Sequence, residues 1–237
     1  MGLFDFFMSD EQKINKHQRT LTDKAQQAEE REASARWLLQ NGQPVSLLAL
    51  LSRFEMRLEH QLNDQNEKDL VYGMIAGKGD AAIEPLRAHL KRARQMAIPL
   101  RLLAEMRGTE EAVNAAIELL ELERKKDDFK PEKKMQILVW LAEGRHVRAA
   151  PVAEHFLDDF DEGVRYSAAE VLIASGEEPA RRALERALAN PKEESTRVAR
   201  RIADIFAGRG WRLEHPDAMA AHCPPGFAVR GDRLVSA

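Results

Sequence analysis

The sequence DEGVRYSAAEVLIASG at positions 161–176 recurs in outline as STRVARRIADIFAGRG at positions 195–210. Apolar residues occupy the same offsets in both copies: Val164, Ala168, Val171 and Leu172 in the first, and Val198, Ile202, Ile205 and Phe206 in the second. Steps of three, four and seven residues place side chains on one side of an α-helix, whereas a half-buried strand would show alternation. Both stretches are therefore predicted to be amphipathic helices that end at a glycine.

Helices that end at a glycine recur along most of the chain. Gly77, Gly108, Gly144 and Gly176 each follow an apolar helical segment, at intervals of about 31–36 residues that continue to Gly208 or Gly210. Glycine suits the left-handed conformation with which many helices end. Another helical pattern precedes these segments, at 80–90, 111–120, 146–156 and 179–188. A helix–loop–helix unit repeated with this period is typical of an α-solenoid.

The paired segments resemble HEAT repeats, in particular the short HEAT-like repeats of bacterial proteins. The first helix matches in the form AIEPL at 82–86, and the second helix matches in Asp161, Val164, Arg165, Ala168 and Leu172. The resemblance covers about residues 44–210. It implies an all-α, HEAT-like α-solenoid of about five helix pairs. It also implies that Asp161 and Arg165 join neighbouring repeats.

Three regions follow from this organisation: an N-terminal region at 1–42, a repeat domain at 43–210 and a tail at 211–237. The tail lacks a helical pattern after Trp211. It is expected to be irregular, with a short hairpin whose strands lie at 227–229 and 233–235 around a turn.

The N-terminal region is expected to form a long, largely solvated helix, because few of its residues are apolar. Ser9 and Gln12 have the spacing of a capping box, and Thr22 or Asp23 offers an alternative helix start. The end of this helix is expected to pack on the first repeat near Trp37.

Composition excludes several classes of protein. Lys and Arg number 36 against 39 Asp and Glu, so no excess of positive charge points to nucleic acid or to an anionic membrane. The one cysteine, Cys223, excludes an intramolecular disulfide and a zinc site with several cysteines. No apolar run is long enough to span a bilayer, and the start MGLFDFFM lacks the features of a signal peptide. A cytoplasmic location is therefore expected.

The concave face of a helical solenoid is lined mainly by the second helices of its pairs, and this face is the first candidate site. Its exposed positions are predicted at Tyr166, Glu170 and Ile173 in one unit and at Arg200, Asp204 and Ala207 in the next. A tyrosine beside arginines is a plausible anchor for a protein interface, and ordinary surface decoration is the alternative.

A basic stretch is the second candidate site. It contains Arg87, Lys91, Arg92, Arg94, Arg101 and Arg107, with Glu105 as the opposing charge. A later stretch around 154–178 is correspondingly acidic. The basic residues could bind phosphate groups of nucleic acid or an oppositely charged protein, or they could simply keep the surface solvated. Nucleic acid is the less favoured ligand, because no aromatic residues are interleaved for base stacking.

The N-terminal segment MGLFDFFM does not fit the repeat, although Phe4, Phe6 and Phe7 make it strongly apolar. Three interpretations stay open: it folds back onto the repeats, it docks on a protein partner, or it touches a membrane surface. The membrane interpretation is the least favoured, because the following segment lacks the basic face of such anchors.

No catalytic motif stands out, and no cofactor or metal is expected. The residues His215, Asp217, His222 and Cys223 lie close in sequence but match no pattern of zinc ligands. We therefore expect a non-catalytic scaffold or adaptor that binds protein partners. The alternative is a nucleic-acid-binding protein, possibly related to repair, that uses the basic stretch at 87–107.

Overall fold

In a computed structural model the chain is helical over most of the described residues, which are 8–125 and 131–237. Within those ranges it forms thirteen α-helices and one two-stranded sheet, so the predicted all-α class is confirmed. The chain divides into two compact units, Met1–Ala115 and Ala116–Ala237. The boundary falls inside helix α7, Thr109–Arg124. The three regions predicted from the sequence stay a prediction.

The first unit is built from alternating helices. Its six helices before the boundary are α1 (Asp10–Thr22), α2 (Ala28–Asn41), α3 (Pro44–Leu51), α4 (Gln61–Ala76), α5 (Ile83–Arg92) and α6 (Ala97–Arg107). Helix α3 packs against both α1 and α5, while α4 packs against both α2 and α6. Odd-numbered and even-numbered helices of this unit thus form two rows.

The single long N-terminal helix predicted from the sequence is wrong, because this region forms two helices. The capping box at Ser9 is confirmed, since Ser9 accepts from the Gln12 amide and Gln12 accepts from the Ser9 amide. Helix α1 ends where Asp23 becomes extended and its carboxylate accepts from the Ala25 N–H at 2.9 Å, which starts a turn. Helix α2 then packs against α1 through small and polar residues such as the buried Ser34. A prediction that counts only apolar positions does not detect such a contact.

The second unit contains the other helices and the hairpin. Its elements after α7 are α8 (Pro131–Glu143), α9 (Ala150–Glu154), α10 (Glu162–Ser175), α11 (Glu178–Leu188), α12 (Thr196–Arg209), α13 (Pro216–Ala221), β1 (Phe227–Arg230) and β2 (Arg233–Ser236). Helix α10 packs between α8 and α12, and α9 packs against α11. The fully buried core includes Leu138, Val164, Leu172 and Phe206 from the α8, α10 and α12 row.

Helices α10 and α12 begin and end alike, as their matching sequences indicate. The Asp161 side chain accepts from the Val164 N–H at 3.0 Å, and the Ser195 side chain accepts from the Val198 N–H at 3.1 Å. Gly176 and Gly210 then end the two helices in the left-handed conformation, which confirms the prediction at those positions. The prediction is wrong at Gly77, whose φ is −65°.

The tail is more ordered than its sequence suggests, because it includes the unpredicted short helix α13, which begins at Pro216. The hairpin is confirmed, with Phe227 opposite Ser236 and Arg230 opposite Arg233. Strand β2 packs against α12, and its Leu234 is buried. The tail is therefore fixed to the repeats by an apolar contact.

Candidate functional site

An open groove of about 340 Å³ runs across the second unit where α8, α10 and α12 lie side by side. We call it the α10 groove. Its lining residues are Val139, Ala142, Glu143, Arg145, Tyr166, Ser167, Glu170, Ile173, Ala174, Arg201 and Arg209. Three of the six predicted concave-face residues, Tyr166, Glu170 and Ile173, are thus in the lining.

Arginines of α12 reach across to α10 at two points. The Arg197 guanidinium lies 3.9 Å from the centre of the Tyr166 ring, which is a cation–π contact. One turn along, Arg201 Nε and Nη2 donate to the two Glu170 carboxylate oxygens at 2.5 and 3.0 Å. The Glu170 hydrogen bond raises the pKa of Arg201, although burial acts in the opposite direction. Tyr166 and Glu170 are therefore held in place before any partner binds.

The offset of these contacts explains why Arg197 and Arg201 were missed in the sequence. The two helices repeat after 34 residues, from Asp161 to Ser195, so Tyr166 corresponds to Arg200. The cross-helix contacts instead join residues 31 apart, such as Glu170 and Arg201. A shift of three residues is close to one helical turn, so the facing side chains are displaced along the helix. Pairing each exposed residue of α10 with the residue 31 positions later, which is one repeat of 34 residues minus three, would have identified both arginines.

The three positions predicted on α12, Arg200, Asp204 and Ala207, lie outside the groove lining. Arg200 is exposed and lines a different groove, of about 390 Å³, together with His222 and Cys223. Asp204 is exposed, and its negative charge acts on the neighbouring Arg201. Ile173 was expected to be exposed, but only 3% of it is accessible, because it packs into the core behind the groove.

One end of the α10 groove carries two more arginines. Arg209 Nη1 donates to the Ile173 carbonyl oxygen at 3.0 Å. Arg145 is exposed, and it forms no side-chain hydrogen bond or ion pair with any residue in the described ranges. Val139 lines the same groove, and 40% of its surface is accessible. The groove therefore combines exposed apolar surface with guanidinium groups.

Neighbouring repeats of the second unit are joined by ion pairs that occur twice in the same form. Arg165 donates to both Glu193 carboxylate oxygens, at 2.8 and 2.9 Å, and Glu193 also accepts from the N–H of the helix cap Ser195. One repeat earlier, Lys134 Nζ lies 2.9 Å from Asp159, which accepts from the N–H of the cap Asp161. Arg165 thus joins α10 to the turn before α12. Asp161 instead caps its own helix.

The residues of the basic stretch lie in different local environments. Arg87 and Arg107 both form ion pairs with Glu111, at 2.6 and 3.4 Å, and Arg107 also pairs with Asp80. Arg101 lies over the Tyr72 ring at 4.9 Å. Lys91, Arg92 and Arg94 are exposed at and after the end of α5. Carboxylates therefore already neutralise part of the predicted phosphate site.

Other predicted features bear less on this site. Phe4, Phe6 and Phe7 lie outside the described residues. His215, Asp217 and His222 are exposed, and burial raises the pKa of the half-buried Cys223 thiol. In the described ranges, no three His, Cys, Asp or Glu residues are grouped so that they could hold a metal ion. Nor does any helix within 8–125 or 131–237 have the length and apolar character needed to cross a membrane.

Comparisons with known proteins assign no family to this architecture. No protein-family model matches the chain, and a search of curated proteins finds no similar sequence. The function is therefore argued from the α10 groove itself.

Proposed function

We propose that this chain is a non-catalytic scaffold or adaptor built from HEAT-like repeats, and that it binds a protein partner in the α10 groove. The proposal places it in the cytoplasm, since its one cysteine cannot form an intramolecular disulfide. One observation carries the proposal: a preformed row of tyrosine, arginine and glutamate side chains borders accessible apolar surface on α10 and its neighbours.

The repeated ion pairs support the HEAT-like part of the proposal. The fourth residue of one helix is basic and pairs with an acidic residue two positions before the cap of the next helix of the row. Lys134 with Asp159 and Arg165 with Glu193 both follow this rule. Such a contact between successive units is expected when repeats stack on their neighbours.

The composition of the groove favours a protein ligand. Tyrosine and arginine are the residues that most often dominate binding energy at protein interfaces, especially where their side chains are already ordered. The Arg197–Tyr166 contact and the Glu170–Arg201 pair provide that order. Binding would therefore cost little side-chain entropy at these positions.

Site-specific photo-crosslinking tests the proposal. A photoreactive amino acid at Val139, inside the groove, is expected to capture a defined partner in lysate of the native cells. Val147 is a matched control, because it is a valine of the same unit with 42% exposure against 40% for Val139, and it lies outside the groove lining.

The expected result is one dominant protein crosslinked from position 139, absent from position 147 and lost when Tyr166→Ala is added. Nuclease treatment should leave it unchanged. Equal crosslinking from both positions would contradict the proposal. A nuclease-sensitive mixture of nucleic-acid-binding proteins would instead support the alternative function at the basic stretch, which Arg92→Glu with Arg94→Glu should then abolish.

A further inference from the structure

Arg145 has an unusual backbone conformation at the end of α8. Its φ is 52°, and within residues 8–125 and 131–237 it is the one non-glycine residue with a positive φ. The left-handed region is unfavourable for a residue with a Cβ, because the Cβ approaches the following carbonyl oxygen. Here the strain falls on a residue that lines the α10 groove.

The equivalent position in α12 is a glycine. At the end of α8, the Arg145 N–H donates to the Ala142 carbonyl and the His146 N–H donates to Leu141. At the end of α12, the Gly210 N–H donates to Ala207 and the Trp211 N–H donates to Phe206. The two helix ends therefore have the same hydrogen-bond pattern, in which glycine is the usual residue. The Arg145 side chain forms no hydrogen bond, ion pair or ring contact within the described ranges that would offset this strain.

Gly144 does not supply the left-handed residue, although it is adjacent. A Cβ at Gly144 would lie 2.2 Å from His146 Nε2, so this position is kept small by the imidazole ring. That ring stacks on Trp140 with the ring centres 5.0 Å apart. The stacked His146 and Trp140 rings thus lie next to this turn, and the exposed Arg145 side chain lines the groove.

The charges at this end of the groove favour an anionic ligand group. Arg201 is neutralised by Glu170, and Arg209 donates to a backbone carbonyl. In the groove lining, Glu143 is therefore the one carboxylate left to balance the positive charges of Arg145 and Arg209. An arginine fork binds a carboxylate with two parallel hydrogen bonds, which makes such a contact specific as well as strong.

We propose that the α10 groove binds an acidic peptide segment of a protein partner, and that Arg145 selects it by pairing with a peptide carboxylate. The inference rests on the proposed function and names its ligand chemistry. An apolar side chain of the peptide would contact Val139, which is accessible beside Arg145 and Arg209. A peptide fits this combination better than a nucleic acid, because a peptide can present an apolar side chain to Val139 next to its carboxylate, whereas a nucleic-acid backbone carries a phosphate at every nucleotide.

Replacing Arg145 by glycine separates binding from folding. Arg145→Gly removes the guanidinium and also relieves the left-handed strain. It should therefore raise the melting temperature of the protein while lowering its affinity for the peptide. A labelled peptide of alternating Glu and Leu, measured with the full chain by fluorescence polarisation, should bind about tenfold more weakly to this variant. A residue with a merely structural role would change binding and stability in the same direction.

Two controls make the result specific. Arg200→Ala removes the same charge from an exposed, unpaired arginine outside the groove, and it should leave the affinity within about twofold. The counterpart peptide with Gln in place of Glu should bind the unmodified chain about tenfold more weakly than the acidic one.

The proposal is overturned if the acidic peptide fails to bind, if the two peptides bind equally, or if Arg145→Gly leaves the affinity unchanged. Displacement of the peptide by a single-stranded oligonucleotide would overturn it in favour of a nucleic-acid ligand. If the peptide does not bind but a partner is still crosslinked from position 139, the inference of an acidic ligand is refuted. The proposed function is then unaffected.

Discussion

Arg53 is fully buried in the first unit, and each of its three guanidinium nitrogens donates a hydrogen bond. Its guanidinium donates to Glu67, to Asp64 and to the Met56 carbonyl oxygen, at 2.9–3.1 Å. Glu67 also receives two hydrogen bonds from the buried Arg31, at 2.6 and 3.0 Å. A buried charge network of this kind is sensitive to loss of one partner, because the remaining charges stay desolvated.

We expect Glu67→Gln to destabilise the first unit by about 3 kcal/mol, because Arg31 and Arg53 would lose their shared negative charge. Urea denaturation measures this loss of unfolding free energy, with the fluorescence of Trp37 as the signal. Trp140 and Trp211 are replaced by phenylalanine for this purpose. Trp37 lies on α2, the same helix as Arg31. Glu32→Gln is the control: it breaks the exposed pair with Arg36 and should cost about 0.5 kcal/mol. Equal effects of both substitutions would contradict the importance of burial.

At the scale of single helices, the repeated ion pairs are the feature to test. Arg165 and Glu193 join α10 to the turn before α12, and the side chain of Glu193 is only 6% exposed. A double-mutant cycle with Arg165→Ala and Glu193→Ala should give a coupling energy of about 2 kcal/mol in urea denaturation. Arg186 and Glu154 also link neighbouring repeats, but both are exposed, so their cycle should give about 0.5 kcal/mol. A coupling no larger than this control would show that the buried pair does not hold the repeats together.

Sequence periodicity predicted individual helices better than it predicted their ends and contacts. The i, i+4 and i+7 pattern identified the buried face of α12, from Val198 to Phe206, because apolar burial sets that pattern. It failed at α1 and α2, whose contact uses polar groups such as His17 Nδ1 and Ser34 Oγ, 3.1 Å apart. It also placed the left-handed residue of α8 at Gly144, whereas Arg145 has that conformation.

For the molecule as a whole, composition and repeats predicted the all-α class but gave little about the site. Tyr166 and Glu170 were found because they lie on the exposed side of a helix whose buried side was clear. Arg201 and Arg145 could not be found in this way. The position of Arg201 depends on how far one helix is shifted along the next, and that of Arg145 depends on one turn.

The two units should also differ in their response to acid. Three buried or half-buried carboxyls of the first unit have a lowered pKa: Glu55, Asp64 and Glu67. Burial alone would raise the pKa of each. The contacts that lower it come from His89 and the Arg94 N–H for Glu55, from Lys68 and Arg53 for Asp64, and from Arg31 and Arg53 for Glu67.

A carboxyl whose pKa is lower in the folded state stabilises the fold above its unfolded pKa, here about 4. That stabilisation is lost as the pH falls through the folded pKa, since both states are then protonated. We therefore expect hydrogen–deuterium exchange to increase at a higher pH in α4, which carries Asp64 and Glu67, than in α12. Asp64→Asn should reduce the acid dependence in α4 and leave α12 unchanged. If α4 and α12 instead lose protection at the same pH in both proteins, these carboxyls do not set the acid stability of the first unit.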